Sequence, residues 1–258
     1  MAGFRHDLFP MSSIQVVRPP AVQGLAWVKQ GWALFMTAPV PWSGMTALVF
    51  LVLMGVGALP YAGAVLVHAL SPFIVAGYMA ASRAAATGDT VNFLFLGAGW
   101  RQGRHSLLLI GLGYMLAMWG VFRITTFFTG GDLSLLMAQV ERPHQLTPEE
   151  AEALLQGIMP AMMLGSALLM PLLMATWFSP ALAHFEGFAP GRAVWWSLWA
   201  CWVNWRPLLV YSVLLALLGM IAIVIPFGLG LLVFIPLTLA ATYAAYADIF
   251  QTVDEGEA

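Results

Sequence analysis

The stretch Leu208–Ile225 reads LLVYSVLLALLGMIAIVI and contains no charged residue. A helix rises 1.5 Å per residue, so about 20 apolar residues cross the roughly 30 Å hydrocarbon layer of a bilayer. Five other stretches have comparable length and apolar character. The predicted spans are Pro41–Leu59, Tyr61–Ser82, Ser106–Phe128, Ile158–Ala183, Leu208–Ile225 and Leu229–Asp248. The sequence therefore predicts an all-α polytopic membrane protein with six transmembrane helices.

The overall composition indicates the same class. Charged residues make up 9% of the chain and hydrophobic residues 61%, whereas about 25% of a typical soluble domain is charged. A soluble fold of this length would leave the surplus apolar surface in water. We expect one integral membrane domain over residues 1–258, in contact with the lipid bilayer, because the loops between six spans are too short for a second folded domain.

Charge and cysteine content argue against several other classes. The net charge is −2 and no polybasic cluster occurs, so neither nucleic-acid binding nor strong recognition of anionic lipids is expected. The single cysteine, Cys201, excludes an intrachain disulfide and a cysteine-based metal cage. No cofactor site is predicted. The first twenty residues lack the apolar core of a signal peptide, so we expect the first span to direct insertion, with Met11 as an alternative start to Met1.

Basic residues predict how the chain is threaded. Eight of the ten lysines and arginines lie on the amino-terminal side or in the even loops, whereas Arg123 and Arg142 lie on the opposite side. Basic residues in short loops stay in the cytoplasm. Both termini are therefore expected to be cytoplasmic, with one sizeable outer loop over residues 129–157. The eight residues are Arg5, Arg18, Lys29, Arg83, Arg101, Arg104, Arg192 and Arg206.

A short amphipathic segment precedes each pair of spans, which predicts three units of interfacial helix plus helical hairpin. The predicted units cover residues 20–82, 88–183 and 190–250, between a flexible tail over 1–19 and an acidic tail over 251–258. The alternative is that no repeat exists, and that tryptophan and proline occur between the spans as they do in any multispan protein.

Apolar residues recur at helical spacing in the first two of these amphipathic segments. In the first segment they are Leu25, Val28, Trp32 and Phe35, and in the second they are Phe93, Leu96 and Trp100. Asp89 or Thr90 is the expected cap of the second segment.

The third segment, Pro190–Arg206, has the clearest pattern. Small residues occupy one half of the helical circumference and indoles the other half. The small residues are Ala193, Ser197, Ala200, Cys201 and Asn204, and the indoles are Trp195, Trp196, Trp199, Trp202 and Trp205. Indole rings favour the headgroup level, and small residues allow close helix packing. The segment is therefore predicted to lie in the membrane interface.

The outer loop has a helix signal and an acidic composition. Thr147-Pro148-Glu149-Glu150 has the pattern of a capped helix start, which predicts a helix continuing into the fourth span. The acids of this loop have no calcium-loop spacing, so a solvated loop is expected rather than a cation site. These acids are Asp132, Glu141, Glu149, Glu150 and Glu152.

Three ionisable residues in or beside the spans are candidate functional groups. His68 lies eight residues past Pro60, which places it about 12 Å into the membrane at helical rise. It is either a functional group or a neutral imidazole that shares its proton with a backbone carbonyl or Ser71. Asp248 closes the last span as an interfacial anchor or as a partner of Arg83 or Arg206. Arg123 lies near the outer boundary beside Trp119, where its stem can snorkel.

Two further candidates, Asn204 and Arg206, end the tryptophan-rich segment. Glu186 and His184 flank Phe185, but a single acid beside a single histidine is a weak signal for acid–base or metal chemistry. No motif of an enzyme class occurs in the chain.

Several motifs in the second half resemble a family of uncharacterised six-span inner-membrane proteins of Gram-negative bacteria. They are Trp177–Leu182, Ala193–Ser197, Ala200–Pro207 and Tyr243–Phe250. The last contains Tyr-x-x-Tyr-x-Asp-Ile-Phe, with Ala247 where the family commonly has arginine. The resemblance implies six spans and a bacterial inner membrane, and supplies no activity. More loosely, the architecture is similar to the membrane portion of some glycerophosphodiester phosphodiesterases.

Few polar groups lie in the spans, which favours a non-enzymatic accessory protein that binds membrane proteins or lipids. The alternative is a transporter or channel for a small or amphipathic solute, since prolines inside spans can free backbone carbonyls for ligands. These prolines are Pro72, Pro171 and Pro236. A lipid-modifying enzyme would need a catalytic group that the sequence does not supply. The oligomeric state is left open.

Overall fold

The structure is a computed structural model that describes residues 13–60, 62–129 and 148–253. It contains six helices long and apolar enough to cross a membrane. They are Pro39–Gly57, Gly63–Ala86, Arg104–Phe128, Ile158–Phe185, Trp205–Val224 and Pro226–Ile249. Each overlaps one predicted span, so the predicted fold class, an all-α polytopic membrane protein, is confirmed.

The helices of the described chain are numbered α1 to α10. They are α1 (Gln23–Thr37), α2 (Pro39–Gly57), α3 (Gly63–Ala86), α4 (Ala98–Arg101), α5 (Arg104–Thr129), α6 (Pro148–Trp177), α7 (Ser179–Phe185), α8 (Pro190–Val203), α9 (Trp205–Val224) and α10 (Leu229–Ile249). Two short strands, β1 (Ser13–Val16) and β2 (Phe250–Val253), and two 3₁₀ helices, Phe93–Gly97 and Pro226–Gly228, complete the set. Pro72, Pro171 and Pro236 lie inside α3, α6 and α10 without ending them.

The chain packs as two compact units. The first unit comprises Met1–Ala47, Tyr78–Phe95 and Ala200–Ala258, and the second comprises Leu48–Gly77 and Leu96–Trp199.

In the first unit, α1 packs across the α9–α10 hairpin. Gly24 lies against the backbone of Pro207 and Tyr211, and a Cβ added to Gly31 would come 2.6 Å from the Ala241 nitrogen. Only glycine permits such close backbone approach. The buried face of α1 is therefore Gly24, Trp27, Gly31 and Phe35.

The apolar stripe of α1 is not the face that packs on the α9–α10 hairpin. Of Leu25, Val28, Trp32 and Phe35, only Phe35 is buried, while Leu25 and Trp32 are exposed. The physical reason is that backbone-to-backbone packing selects the face with the smallest residues, and the larger apolar side chains are left facing outward.

The connection between α9 and α10 is a tight turn. Phe227 has φ of 60° and Gly228 has φ of 70°, and Gly230 packs directly against the Ala222 backbone. The two helices therefore pack closely from the turn onward.

Strands β1 and β2 pair antiparallel, with Val16 opposite Phe250 and Ser13 opposite Val253. The Val17 nitrogen extends the contact by donating to the Ile249 oxygen at 2.8 Å. These segments overlap the regions assigned to tails from sequence, and the pairing orders them because it satisfies their backbone polar groups. The shared sheet also brings the two ends of the described chain together.

The second amphipathic segment is shorter and capped differently than predicted. It forms the 3₁₀ helix Phe93–Gly97 followed by the single turn α4. The Leu94 nitrogen donates to Asn92 Oδ1 at 3.0 Å, while Asp89 accepts from Thr87. Asn92 is therefore the cap, because its oxygen reaches the second residue beyond it, and the expectation of Asp89 or Thr90 is wrong.

In the second unit, α5 packs against α6 and α7. Gly103 turns the chain between α4 and α5 with φ of 80°. A Cβ added to Gly111 of α5 would lie 2.6 Å from the His68 carbonyl oxygen of α3, so the two helices pack closely at this glycine. Helix α6 begins at Pro148 and runs continuously into the fourth span, as predicted. Thr147 and most of the acidic loop lie outside the described residues.

Candidate functional site

His68 bonds within its own helix. Its Nδ1 lies 2.7 Å from the Ala64 carbonyl oxygen, and its ring stacks on Tyr114 with centroids 5.9 Å apart. Because a carbonyl oxygen only accepts, Nδ1 carries the proton in this contact. Ser71 donates to the His68 carbonyl rather than to the ring. The geometry matches the alternative of an imidazole that shares its proton with the backbone.

Arg123, also in the second unit, is exposed and lies over the Trp119 ring, with its guanidinium carbon 5.8 Å from the ring centroid. This is a cation–π contact. Asp132, one of the acids of the outer loop, lies outside the described residues.

Asp248 is held by an indole. Trp27 Nε1 donates to Asp248 Oδ2 at 2.9 Å, a pairing that the sequence did not suggest. The carboxylate lies at the edge of a cleft of about 550 Å³ between α1, the end of α3 and α10. The other polar residues of this cleft are Gln30, Thr37 and Tyr243. We call it the Asp248 cleft.

The two predicted faces of the tryptophan-rich segment Pro190–Arg206, which forms α8 and the start of α9, are confirmed. Its small residues Ala193, Ser197, Ala200, Cys201 and Asn204 are buried. Four of the five tryptophans are exposed, namely Trp195, Trp199, Trp202 and Trp205. Ser197 has a second role, since its Oγ donates to the Met174 oxygen and accepts from the Phe178 nitrogen.

Cys201 is a packing residue. Its side chain is 2% exposed, and burial raises the pKa of its thiol from 9.0 to about 12. The thiol is therefore protonated at neutral pH and a poor nucleophile.

Asn204 and Arg206 meet Arg18 in one cleft of about 450 Å³ in the first unit. It is lined by Arg18, Pro19, Pro20 and Ala21 from the segment before α1 and by Val203, Asn204, Trp205, Arg206 and Pro207 from the start of α9. We call it the arginine cleft. Asn204 is 1% exposed, and its Nδ2 donates to the Val17 oxygen at 3.1 Å. Its Oδ1 is buried without a hydrogen-bond partner among the described residues.

A third concave surface runs between α1, α9 and α10. We call it the apolar groove. It has a volume of about 610 Å³ and an almost wholly apolar lining that includes Leu218, Ile225, Phe234 and Leu237. At the α1 end the groove is bordered by Lys29 and Trp32, both exposed. The groove thus has a long apolar lining with one cation and one indole at one end.

Sequence reasoning placed Asn204 and Arg206 among the candidates and missed their neighbour Arg18. It used Arg18 and Lys29 only as indicators of orientation. Pro19 and Pro20, which disfavour helix around Arg18, could have suggested a fixed extended segment. The spacing Gly24, Trp27, Gly31 and Phe35 could have shown the packed face of α1. Nothing in the sequence pairs Trp27 with Asp248.

The fold and these surfaces define a six-span α-helical membrane protein with two clefts and a groove in its first unit. Among the described residues, no three His, Cys, Asp or Glu side chains lie close enough to hold a metal ion.

Comparison with known proteins adds one relative. The chain is 29% identical over 252 residues to a probable inner membrane protein of Burkholderia thailandensis, covering 93% of this chain and 92% of that protein. No family model matches the chain, and no solved structure matches it.

Proposed function

We propose that the protein is a non-enzymatic accessory protein of the bacterial inner membrane, and that its first unit binds phospholipid. The location is supported by the similarity to a probable inner membrane protein of Burkholderia thailandensis and by the six apolar helices. The observation that carries the proposal is the apolar groove with Lys29 and Trp32 at one end.

The groove has the chemistry of an acyl-chain site. Along α9 it reaches from Leu218 to Ile225, which is about 10 Å at helical rise. Lipid tails already surround the helices, so the selectivity of such a groove comes from shape and dispersion contacts rather than from the hydrophobic effect. A concave wall gives one chain more contacts than a convex helix surface does.

Lys29 and Trp32 determine how a lipid would be oriented in the apolar groove. A lysine ammonium and an indole both prefer the headgroup level of a bilayer. An acyl chain in the groove would therefore extend toward the turn at Pro226, with its phosphate near Lys29. The opposite charges of phosphate and ammonium favour this orientation.

The walls of the groove are closely packed. Gly31 holds α1 against Ala241, Gly219 packs against the Phe234 ring, and Gly230 packs against Ala222. A surface that is formed before the ligand arrives loses less conformational entropy on binding.

The test is to fill the groove. Leu218→Trp adds an indole to the groove wall, and Val213→Trp adds the same group to an exposed position of α9 outside it. Each full-length protein is purified in a mild detergent, and the retained phospholipid is quantified by mass spectrometry. We expect Leu218→Trp to retain less lipid than the wild type and Val213→Trp to retain the same amount. Equal retention by both variants would refute lipid binding in the groove.

Transport of a small or amphipathic solute is the second candidate, because the Asp248 cleft supplies polar groups beside apolar walls. The wild type and Asp248→Asn would be reconstituted into vesicles that contain a small fluorescent dye. Protein-dependent release that Asp248→Asn abolishes would favour transport over the accessory role. Equal retention of dye in vesicles with and without protein would count against a channel.

A further inference from the structure

We propose that the arginine cleft binds the headgroup of an anionic phospholipid whose phosphodiester carries a free hydroxyl, such as the phosphoglycerol group of phosphatidylglycerol. This inference goes beyond the acyl-chain site, because the arginine cleft and the apolar groove share no residue.

Two guanidinium groups make the cleft suitable for phosphate. Arg18 and Arg206 border it from opposite segments of the chain and are both exposed. Neither forms an ion pair with a carboxylate among the residues that the structure describes. A guanidinium presents a planar fork of donors that matches two phosphate oxygens. Two such cations around one cleft favour a headgroup of net negative charge over a zwitterionic headgroup.

The amino terminus of α9 adds to this potential. The first peptide N–H groups of a helix have no partner within the helix, and its macrodipole places partial positive charge there. Helix α9 is 20 residues long and begins at Trp205, which lines the cleft. An anion in the cleft would therefore lie at the favourable end of the helix dipole.

Asn204 indicates what accompanies the phosphate. Its Oδ1 is buried without a partner among the described residues, while one N–H of its Nδ2 is donated to the Val17 oxygen. An unsatisfied buried acceptor is costly, and it repels phosphate oxygens. A ligand hydroxyl supplies the missing donor. An ammonium headgroup would also donate, but it would be repelled by Arg18 and Arg206.

The tryptophans beside the cleft favour a lipid as the source of the phosphate. Trp202 and Trp205 are 68% and 55% exposed. They lie where α8 ends and the membrane-crossing helix α9 begins. Exposed indoles at the end of a span occupy the headgroup level of a bilayer, and lipid phosphates lie at that level.

The cleft is also held in shape before any ligand binds. Arg18 follows Val17, whose nitrogen bonds to the Ile249 oxygen and whose oxygen accepts from Asn204. On the other side, Pro207 is buried at the start of α9. Both arginines therefore project from fixed backbone, which reduces the entropy lost on binding.

The test compares lipids on the full-length protein in mild detergent. The wild type, the double variant Arg18→Gln/Arg206→Gln and the control double variant Arg101→Gln/Arg104→Gln are titrated with short-chain phosphatidylglycerol and with phosphatidylcholine. All four arginines are exposed, so these changes should leave the fold intact. Binding is followed by native mass spectrometry, and the unfolding midpoint confirms that each variant is folded.

We expect the Arg18/Arg206 double variant to bind phosphatidylglycerol about tenfold or more weakly than the wild type, since charge-assisted hydrogen bonds are lost. Phosphatidylcholine binding and the Arg101/Arg104 control should not change. Arg206→Lys keeps the positive charge but loses the planar pair of guanidinium donors. Its affinity for phosphatidylglycerol should lie between those of the wild type and the Arg18/Arg206 double variant.

Three results would overturn the proposal. The first is unchanged phosphatidylglycerol binding in the Arg18/Arg206 variant. The second is no preference of the wild type for phosphatidylglycerol over phosphatidylcholine. The third is equal binding of inorganic phosphate or glycerol phosphate, which would make the cleft a site for soluble anions. Leu218→Trp separates this proposal from the acyl-chain proposal, because filling the apolar groove should leave the phosphatidylglycerol preference intact.

Discussion

Trp27 and Asp248 are joined by a hydrogen bond of 2.9 Å from the indole Nε1 to Oδ2, across 221 positions of sequence. The bond connects the second turn of α1 to the last turn of α10. The edge of the same indole contacts the Tyr211 ring, with centroids 6.0 Å apart, and Tyr211 bonds to Thr242 at 2.8 Å. One buried tryptophan thus links α1 to both helices of the hairpin beneath it.

Removing this bond should destabilise the first unit. Trp27→Phe keeps an aromatic ring in the core but deprives Asp248 of its donor. A hydrogen bond to a charged group contributes about 1.5–3 kcal/mol, so we expect a clearly lower unfolding midpoint in detergent. Trp32→Phe is the control, because Trp32 is exposed on the same helix. Equal midpoints for the two variants would show that the Trp27–Asp248 bond adds nothing to stability.

Replacing Gly24 or Gly31 of α1 by alanine should destabilise the first unit. A methyl group at Gly24 would collide with the Pro207 carbonyl, and one at Gly31 would collide with Ala241. Because the obstacles include backbone, relief requires α1 to shift. We expect Gly24→Ala and Gly31→Ala to lower the unfolding midpoint and to speed proteolysis of the segment before α2.

Gly113→Ala in α5 is the matched control for these glycine variants. Nothing lies within 4 Å of a Cβ at Gly113, so alanine there should be neutral or should stabilise the helix by about 0.5–1 kcal/mol. If all three alanine variants behaved alike, the close approach of α1 to the hairpin would be disproved.

The spans were predictable because hydropathy and length alone decide which segments enter lipid. The faces of α8 were predictable for a related reason, since five tryptophans and five small residues separate cleanly around one helix. Both are local properties of a short window of sequence.

The contacts that form the candidate sites are not local. Arg18 and Arg206 meet only because β1 pairs with β2 and because α1 packs on the hairpin. The packed face of α1 does not coincide with its apolar stripe, because in lipid the close approach of backbones outweighs the burial of large apolar side chains. The apolar periodicity of a single sequence is dominated by large side chains, and glycines contribute little to it.

Cys201 should resist alkylation in the folded protein. Burial raises the pKa of its thiol from 9.0 to about 12, so at pH 8 the thiolate fraction is about a thousandfold lower than for a free thiol of pKa 9.0. We expect iodoacetamide to react slowly with the folded protein and rapidly after denaturation.

The pH dependence of this reaction gives a second measurement. Between pH 8 and 10 the rate of the denatured chain should rise and level off near its pKa, while the rate of the folded chain stays low. The same raised pKa means that the contribution of Cys201 to stability is complete below about pH 9 and is lost as the pH rises toward 12. A folded-state rate equal to the denatured rate at pH 8 would contradict the buried position of Cys201.

Tags on the two termini should report the same side of the membrane. Val16 pairs with Phe250, and the excess of basic residues on that side predicts that it is cytoplasmic. A third tag, inserted between Thr129 and Pro148, should lie on the opposite side. The measurement is protease access to each tag in intact and in inverted membrane vesicles. Termini on opposite sides would rule out the strand pairing, whereas both termini outside would leave the fold intact and reverse its orientation.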